Sequence, residues 1–359
     1  MHDPEIDPAP APRPLTRGAV VDGTLRIGPL MALPQVLDEL GADTDALLAA
    51  EGWQRADFAD PESLVPARVL GRMVQRGVEA TRCEHLGVLI GQRSSLSGLG
   101  ALGFVMQSSS TVAAALEALG RHLQVQDRAA VVTVETHGSR CTLGYLITVP
   151  DVDRTDQLYC VVALVAINIM RALCGSTWRP HEVGLPFRRP PHAAVLREAV
   201  GAPIRFGAQR MELVFPATNL ARPLATADAL LHRMMSERIA ELEATAPRSL
   251  ATEVRQLLRA LVLTKTCTPR IVGLRLGVPV RTLNRRLAEQ GTSVSALRDE
   301  VRRDTACHLL AQSGKTAGDV GRLLGYTEPA AFTRAFRRWT GIGPAQWRAQ
   351  RPVPRRARP

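Results

Sequence analysis

Thr268-Pro-Arg-Ile-Val-Gly-Leu-Arg-Leu-Gly277 and Thr316-Ala-Gly-Asp-Val-Gly-Arg-Leu-Leu-Gly325 are two copies of one pattern, set 48 residues apart. Five of the ten positions are identical: Thr, Val, Gly, Leu and Gly. Thr is a helix-capping residue type, and the closing Gly lets the chain turn sharply. Each copy leads into a basic segment, Arg281-Thr-Leu-Asn-Arg-Arg-Leu287 and Ala330-Ala-Phe-Thr-Arg-Ala-Phe-Arg-Arg338. A short apolar helix, a glycine turn and an Arg-bearing second helix make a helix-turn-helix. Two of them in one chain imply binding to double-stranded DNA.

Spacing sorts the faces of the second helices. In the first, predicted over residues 279–289, Leu283 and Leu287 lie one turn apart and face the core. Arg281, Asn284 and Arg285 lie opposite, placed for base edges, since Arg matches guanine O6/N7 and Asn matches adenine N6/N7. Thr282 and Arg286 are placed for phosphates. In the second, Thr327 is the expected cap, with Pro329 near the start. Phe332, Phe336 and Trp339 are spaced as core residues. Arg334 takes the place of Arg285, 49 residues on. Ala330 and Ala331 are short enough to touch thymine methyls, and Thr333, Arg337 and Arg338 are assigned to phosphates. The first motif is therefore expected to carry more hydrogen-bonded reading and the second more anchoring.

Between the motifs, residues 293–311 read as one helix of 19 residues. At 1.5 Å per residue it is about 28 Å long, close to the ~34 Å between successive major grooves on one face of DNA. Its Arg298, Arg302 and Arg303 could track phosphates, although Asp299, Glu300 and Asp304 also offer ordinary surface pairs. Cys307 and His308 read as structural or surface residues, not ligands.

Charge supports this division. From Arg248 to Pro359 there are 22 Lys and Arg against 7 Asp and Glu, net +15. Residues 1–247 hold 23 and 27, net −4. A near-neutral regulatory part joined to a polyanion-binding part has this asymmetry. At 359 residues the chain can form about two or three domains. The most apolar run, Cys160 to Met170, is 11 residues long and interrupted by Asn168, too short to span a membrane. The acidic, then Pro/Ala-rich N-terminus lacks a secretion signal's pattern, which points to a cytoplasmic protein. Cysteines 83, 141, 160, 174, 267 and 307 form no Cys-x-x-Cys pair and read as reduced, buried residues.

The first two thirds read as an α+β domain with a mainly antiparallel sheet. Helices are predicted at residues 30–40, 66–81, 112–123, 156–173 and 192–200, with a turn at 94–103. Residues 130–136 and 140–149 form a predicted hairpin around His137-Gly-Ser139, with further strands at 181–187, 204–206 and 211–215. Ser108 to Ser110 reads as a cap cluster, not a nucleophile. Asn168 and Arg171, polar residues on an apolar helix, either line a pocket or bond nearby backbone. Leu231, Met235, Ile239 and Leu242 give the helix over 226–244 one apolar face, read as packing on its own domain, with a dimer contact as the alternative. No Gly-x-Ser-x-Gly, phosphate loop or His-Glu-x-x-His occurs, so no enzyme, metal or cofactor is expected.

Gly325-Tyr-Thr-Glu-Pro-Ala-Ala-Phe-Thr-Arg-Ala-Phe-Arg-Arg-Trp-Thr-Gly-Ile-Gly-Pro344 resembles the signature of the AraC/XylS family's DNA-binding domain. The likeness covers residues 250–348. It departs at Gly273 and Gly321, where the family usually has Ala, and at Pro279, where a capping Ser is usual. Gly98 to Leu116, Trp178 to Val183, Gly201 to Gly207 and Leu213 to Leu224 resemble the arabinose-binding-like effector domain of one branch of the family. The implied order is a disordered segment (1–17), an effector and dimerisation domain (18–244), a linker (245–249), an all-α domain with two helix-turn-helix motifs (250–348) and a basic tail (349–359). The resemblance implies a transcription regulator, more often an activator. Its partners would be promoter DNA, RNA polymerase, a small-molecule effector and a second copy of the chain; apolar helices leave a hydrophobic effector open. The rival expectations are a ligand-independent dimeric regulator and an enzyme domain with a DNA-binding tail.

Overall fold

The computed structural model describes residues 20, 23–245, 249–262, 267–312 and 315–350. The expected N-terminal segment 1–17, linker residues 246–248 and tail residues 351–359 lie outside the described residues.

The N-terminal part begins with β1 (Thr24–Arg26), α1 (Leu33–Glu39) and α2 (Thr44–Ala49), and β2 (Leu64–Pro66) pairs antiparallel with β1. Next come α3 (Ala67–Thr81), α4 (Leu86–Gln92), α5 (Gly100–Ser108) and α6 (Val112–His122). The turn expected at 94–103 is shorter than read: a 3-10 turn covers Leu96–Leu99, and α5 starts at once from Gly100. Ser108 and Ser109 close α5, donating to the carbonyls of Phe104 and Val105, while Thr111 caps α6. They thus end one helix instead of opening the next. Apolar residues around the Gly and Ser positions supply α5's burial, which the small residues masked in the sequence.

The hairpin forms as read. β3 (Ala130–His137) and β4 (Arg140–Ile147) are joined by Gly138-Ser139, with Gly138 at φ 59°. The buried helix α7 (Thr155–Cys174) follows, then β5 (Glu182–Leu185), α8 (Ala193–Val200), β6 (Ile204–Phe206), β7 (Met211–Pro216) and α9 (Ala229–Thr245). The sheet order is β3-β4-β7-β5-β6, antiparallel except for the β5–β6 pair. At 20 residues α7 outruns its apolar stretch and is long and apolar enough to cross a membrane, but 78% of that window is buried inside the fold. It serves as the central core helix. Asn168 bonds nearby backbone, donating to the carbonyls of Gly91 (3.2 Å) and Ser94 (2.9 Å). On α9, Ile239 is buried and Met235 and Leu242 pack on the same core, so this face is turned inward on its own domain.

The C-terminal part is helical: α10 (Leu250–Leu261), α11 (Pro269–Leu276), α12 (Val280–Glu289), α13 (Val294–Gln312), α14 (Ala317–Leu323), α15 (Pro329–Thr340) and α16 (Pro344–Ala349). Its hydrophobic residues form a second cluster, separate from the one around α7. All six cysteines are free and buried.

Candidate DNA-reading interface and its link to the N-terminal half

In the first motif, the Thr268 hydroxyl accepts from the Ile271 N–H and opens α11, and Gly277 turns the chain at φ 65°. Leu283 and Leu287 are fully buried beneath α12. Burying each contributes about 1.5–3 kcal/mol, which fixes the rotation of the helix about its axis. That rotation exposes Arg281, Asn284, Arg285 and Arg286 together, with Thr282 half-buried. Arg281, Asn284 and Arg286 have no hydrogen bond or ion pair among the described residues, and Arg285 has only the loose Glu289 pair at 3.8 Å. Pro279 precedes α12 without a side-chain cap, as its residue type implies.

In the second motif, the Thr316 hydroxyl accepts from the Asp319 N–H, and Asp319 accepts from the Thr316 N–H, a reciprocal cap. Gly325 turns at φ 86°. Thr327 is not the cap of α15. That position is Glu328, which makes no side-chain cap bond, and Pro329 fills the first turn, where an N–H has no helical partner anyway. Phe332 and Phe336 are fully buried, with Tyr326, Trp339 and Trp347 in ring contact around them. Arg334 and Arg337 stay exposed, as does Ala330, and Ala331 is half-buried. The other two assigned side chains are engaged. The Thr333 hydroxyl donates to the Pro329 carbonyl at 3.0 Å, and Arg338 pairs with Asp299 on α13 at 2.7 Å.

Gly273 and Gly321 lie where the two helices of each motif touch. A Cβ on Gly273 would sit 2.7 Å from the Val278 carbonyl oxygen, and one on Gly321 2.8 Å from the Phe332 Cβ. Close approach is thus the reason for glycine in both copies.

Between the motifs, α13 spans 19 residues, as the sequence implied. Its basic residues are mostly engaged. Arg302 lies over the Tyr326 ring at 5.1 Å, and Arg303 pairs with Asp304 at 2.8 Å. Glu300 takes Arg255 of α10.

Sequence reasoning missed what α13 does on its other side. His308 is buried, and its Nε2 lies 3.0 Å from the Tyr159 hydroxyl on α7. Burial pushes the His308 imidazole down to about 4 and the Tyr159 phenol well up, so both are neutral near pH 7. The Tyr159 oxygen also accepts from the Ile147 N–H at 3.1 Å. The arrangement in which the Tyr159 hydroxyl donates to His308 Nε2 places the His308 proton on Nδ1. Lys315 adds a second contact, donating to the Gly207 carbonyl at 2.9 Å. One signal was available: Leu297, Val301, Thr305 and His308 follow helical spacing, and all are buried.

The fold and this repeated site define a two-headed helix-turn-helix DNA-binding regulator with a separate α+β effector domain. The chain belongs to the AraC family of transcription regulators: residues 41–224 match the arabinose-binding N-terminal domain of AraC transcription regulators, and 274–350 match a helix-turn-helix domain. The chain is 28% identical over 327 residues to the HTH-type transcriptional regulator VirS of Mycobacterium tuberculosis, covering 90% of this chain and 96% of that one. It is 28% identical over 269 residues to the ornithine utilization regulator of Pseudomonas aeruginosa, covering 73% and 78%. Among solved structures, the transcriptional regulator CdpR from Pseudomonas aeruginosa aligns at 22% identity and a TM-score of 0.40, over 88% of this chain and 97% of that one. Each of these proteins is named as a regulator.

Proposed function

We propose that α12 reads bases in one major groove while α15 seats in the next, with α13 as the spacer. Arg281, Asn284 and Arg285 supply hydrogen-bonded reading, and Arg334 supplies it on the second helix, where Ala330 and Ala331 meet thymine methyls. Thr282, Arg286, Thr333, Arg337 and Arg338 meet the phosphate backbone. Arg338 has to exchange Asp299 for a phosphate to do so, which lowers its net contribution. The observation that carries this reading is the set of exposed polar ends on α12, of which only Arg285 has a partner among the described residues, a loose pair at 3.8 Å, standing on a fully buried Leu283–Leu287 face. On the bound promoter we infer action on RNA polymerase, and in the assembled form a homodimer. Both rest on the family likeness, as does the cytoplasm as the place of action.

Effector state, on this reading, reaches the DNA-binding half through the Tyr159–His308 contact. A ligand that favours one position of α7 biases the placement of α13 and hence of both reading heads. Selection from a random duplex library at fixed salt tests the DNA reading. One asymmetric motif about two turns long should be enriched, and Arg285→Ala and Arg334→Ala should each relax a different half. Enrichment of nothing, with affinity that simply falls as salt rises, would reduce the basic half to a polyanion anchor.

A further inference from the structure

Between α7 and the β3–β4 face of the sheet lies a cavity of about 110 Å³. Its walls are almost wholly hydrocarbon, supplied by side chains such as Leu99, Leu119, Leu143, Val162 and Ile169. An apolar cavity of about 150 Å³ admits a benzene ring; at about 110 Å³ this one is smaller and takes a hydrocarbon body of one ring at most. The polar part of the wall is unusual for such a lining. Asp127 is only 5% exposed. Its carboxylate accepts from the Tyr145 hydroxyl at 2.5 Å and the Ala129 N–H at 2.7 Å, and it also takes the Ala130 backbone. The Ala129 and Ala130 N–H groups can only donate, so those two bonds hold it as an acceptor. Three bonds leave about one of a carboxylate's four lone-pair sites open.

Among the described residues no basic side chain pairs with Asp127. The other charged residue of the wall, Arg26, is turned away onto the Glu62 carboxylate (2.5 Å) and the Val125 carbonyl (2.7 Å). Burial pushes the Asp127 carboxyl up against its donors: the charged form lacks a countercharge, which a bound cation would supply. A buried, hydrogen-bonded carboxylate lacking a cation favours a ligand that brings one, since the fold has already desolvated the anion. A carboxylate ligand would instead meet like charge.

We propose that this cavity binds a small apolar amine, with a hydrocarbon body of one ring at most and its ammonium group on the Asp127 carboxylate. The proposal rests on reading the N-terminal domain as the effector-sensing half. The cavity also bears on the interdomain contact. Ile147 and Leu158 line it, and the Ile147 N–H and the residue after Leu158 form the Tyr159 end of the bond to His308.

The full chain is melted and titrated calorimetrically with benzylamine, benzyl alcohol and benzoate, three probes of one size that differ in the head group. Benzylamine should raise Tm and bind at least tenfold more tightly than benzyl alcohol, and benzoate should leave Tm unchanged. Asp127→Asn should abolish the preference for benzylamine. Because Asp127 also holds the start of β3, Val162→Phe is run beside it; filling the wall should remove the benzylamine response in a chain that still melts cooperatively. Benzoate binding as well as benzylamine, no response to any probe, or a benzylamine shift that survives both substitutions would each overturn the proposal. Operator affinity is measured separately: binding of benzylamine with no change there leaves the site standing and removes the effector reading instead.

Discussion

The two helix-turn-helix motifs share a backbone plan and divide its chemistry unequally. Beneath α12 the core is aliphatic, with Leu283 and Leu287 the fully buried contacts, and the outer face carries four exposed polar or basic residues with little to hold them. Beneath α15 the core is aromatic: Phe332 and Phe336 lie 5.7 Å apart, and Phe336 meets Trp347 edge-on at 6.0 Å. Its outer face offers less chemistry, with alanines at 330 and 331, the Thr333 hydroxyl bonded back to its own helix and Arg338 tied to Asp299. A repeated scaffold can thus specialise without changing its geometry. Large rings and a paired charge occupy one copy, while the other leaves its polar ends exposed, as the proposed division between anchoring and reading requires.

The largest expected effect tests rigidity. Phe336→Ala should cost about 3–5 kcal/mol through a cavity in the aromatic cluster, against about 2–5 kcal/mol for Leu287→Ala. Denaturant unfolding checks both. Equal losses would mean that the second motif is no better anchored than the first. This contrast was legible early: the spacing of Phe332, Phe336 and Trp339 already marked them as core. The cap at Thr327 was misread because Pro329 already satisfies the start of α15, leaving a side-chain cap little to do.

The next effect concerns the joint between the halves, which the sequence did not reveal. Helical spacing could have marked His308 as buried, but no local pattern tells a histidine that its partner is a tyrosine 149 residues away. The same limit hid the cavity's polar wall. Asp127 stands in a loop and Tyr145 in a strand, and only the sheet register brings them together. Asn168 and Arg171, for which the sequence leaves pocket lining and backbone bonding both open, spend their side chains on backbone carbonyls. The folded-state value of His308, about 4, lies below the ordinary 6.5. Between those values the unfolded chain takes up a proton that the folded chain refuses. The stability from neutral His308 is therefore complete above about pH 6.5 and is lost as pH falls toward 4, on the order of 3 kcal/mol. Equilibrium unfolding across that range should show the slope, and His308→Leu should flatten it. A slope unchanged in that variant would assign the effect to other groups.

Reading itself comes next. Arg285→Ala should weaken binding to the selected operator by about 1–3 kcal/mol and relax preference at its contacted base. Arg338→Ala should do less. It should weaken all sequences alike and reduce the salt dependence by about one phosphate contact, because part of its gain is offset by losing Asp299. Titrations at two salt concentrations separate the two behaviours. If Arg338→Ala proves the more sequence-selective change, the division between reading and anchoring motifs is reversed.

The smallest effect compares the caps that start the two motifs. Thr268 makes one bond, to the Ile271 N–H at 3.3 Å. Thr316 and Asp319 cap each other, and Arg322 holds the Asp319 carboxylate at 2.5 Å. Each Thr→Ala change should cost about 0.5–2 kcal/mol, with Thr316→Ala the larger because it also unseats Asp319. The hydrogen bonds from Thr316, followed by that from Arg322, hold the Asp319 carboxyl down to about 2, below its ordinary 3.8. The folded chain thus keeps this group ionised where the unfolded chain has begun to protonate. Its stabilisation is present above about pH 4 and fades as pH falls toward 2. The difference between Thr316→Ala and the parent chain should therefore shrink over that range, while the cost of Thr268→Ala, which involves no titrating partner, should not. Matching pH dependence in the two variants would show that the reciprocal cap of the second motif adds nothing beyond a single hydroxyl.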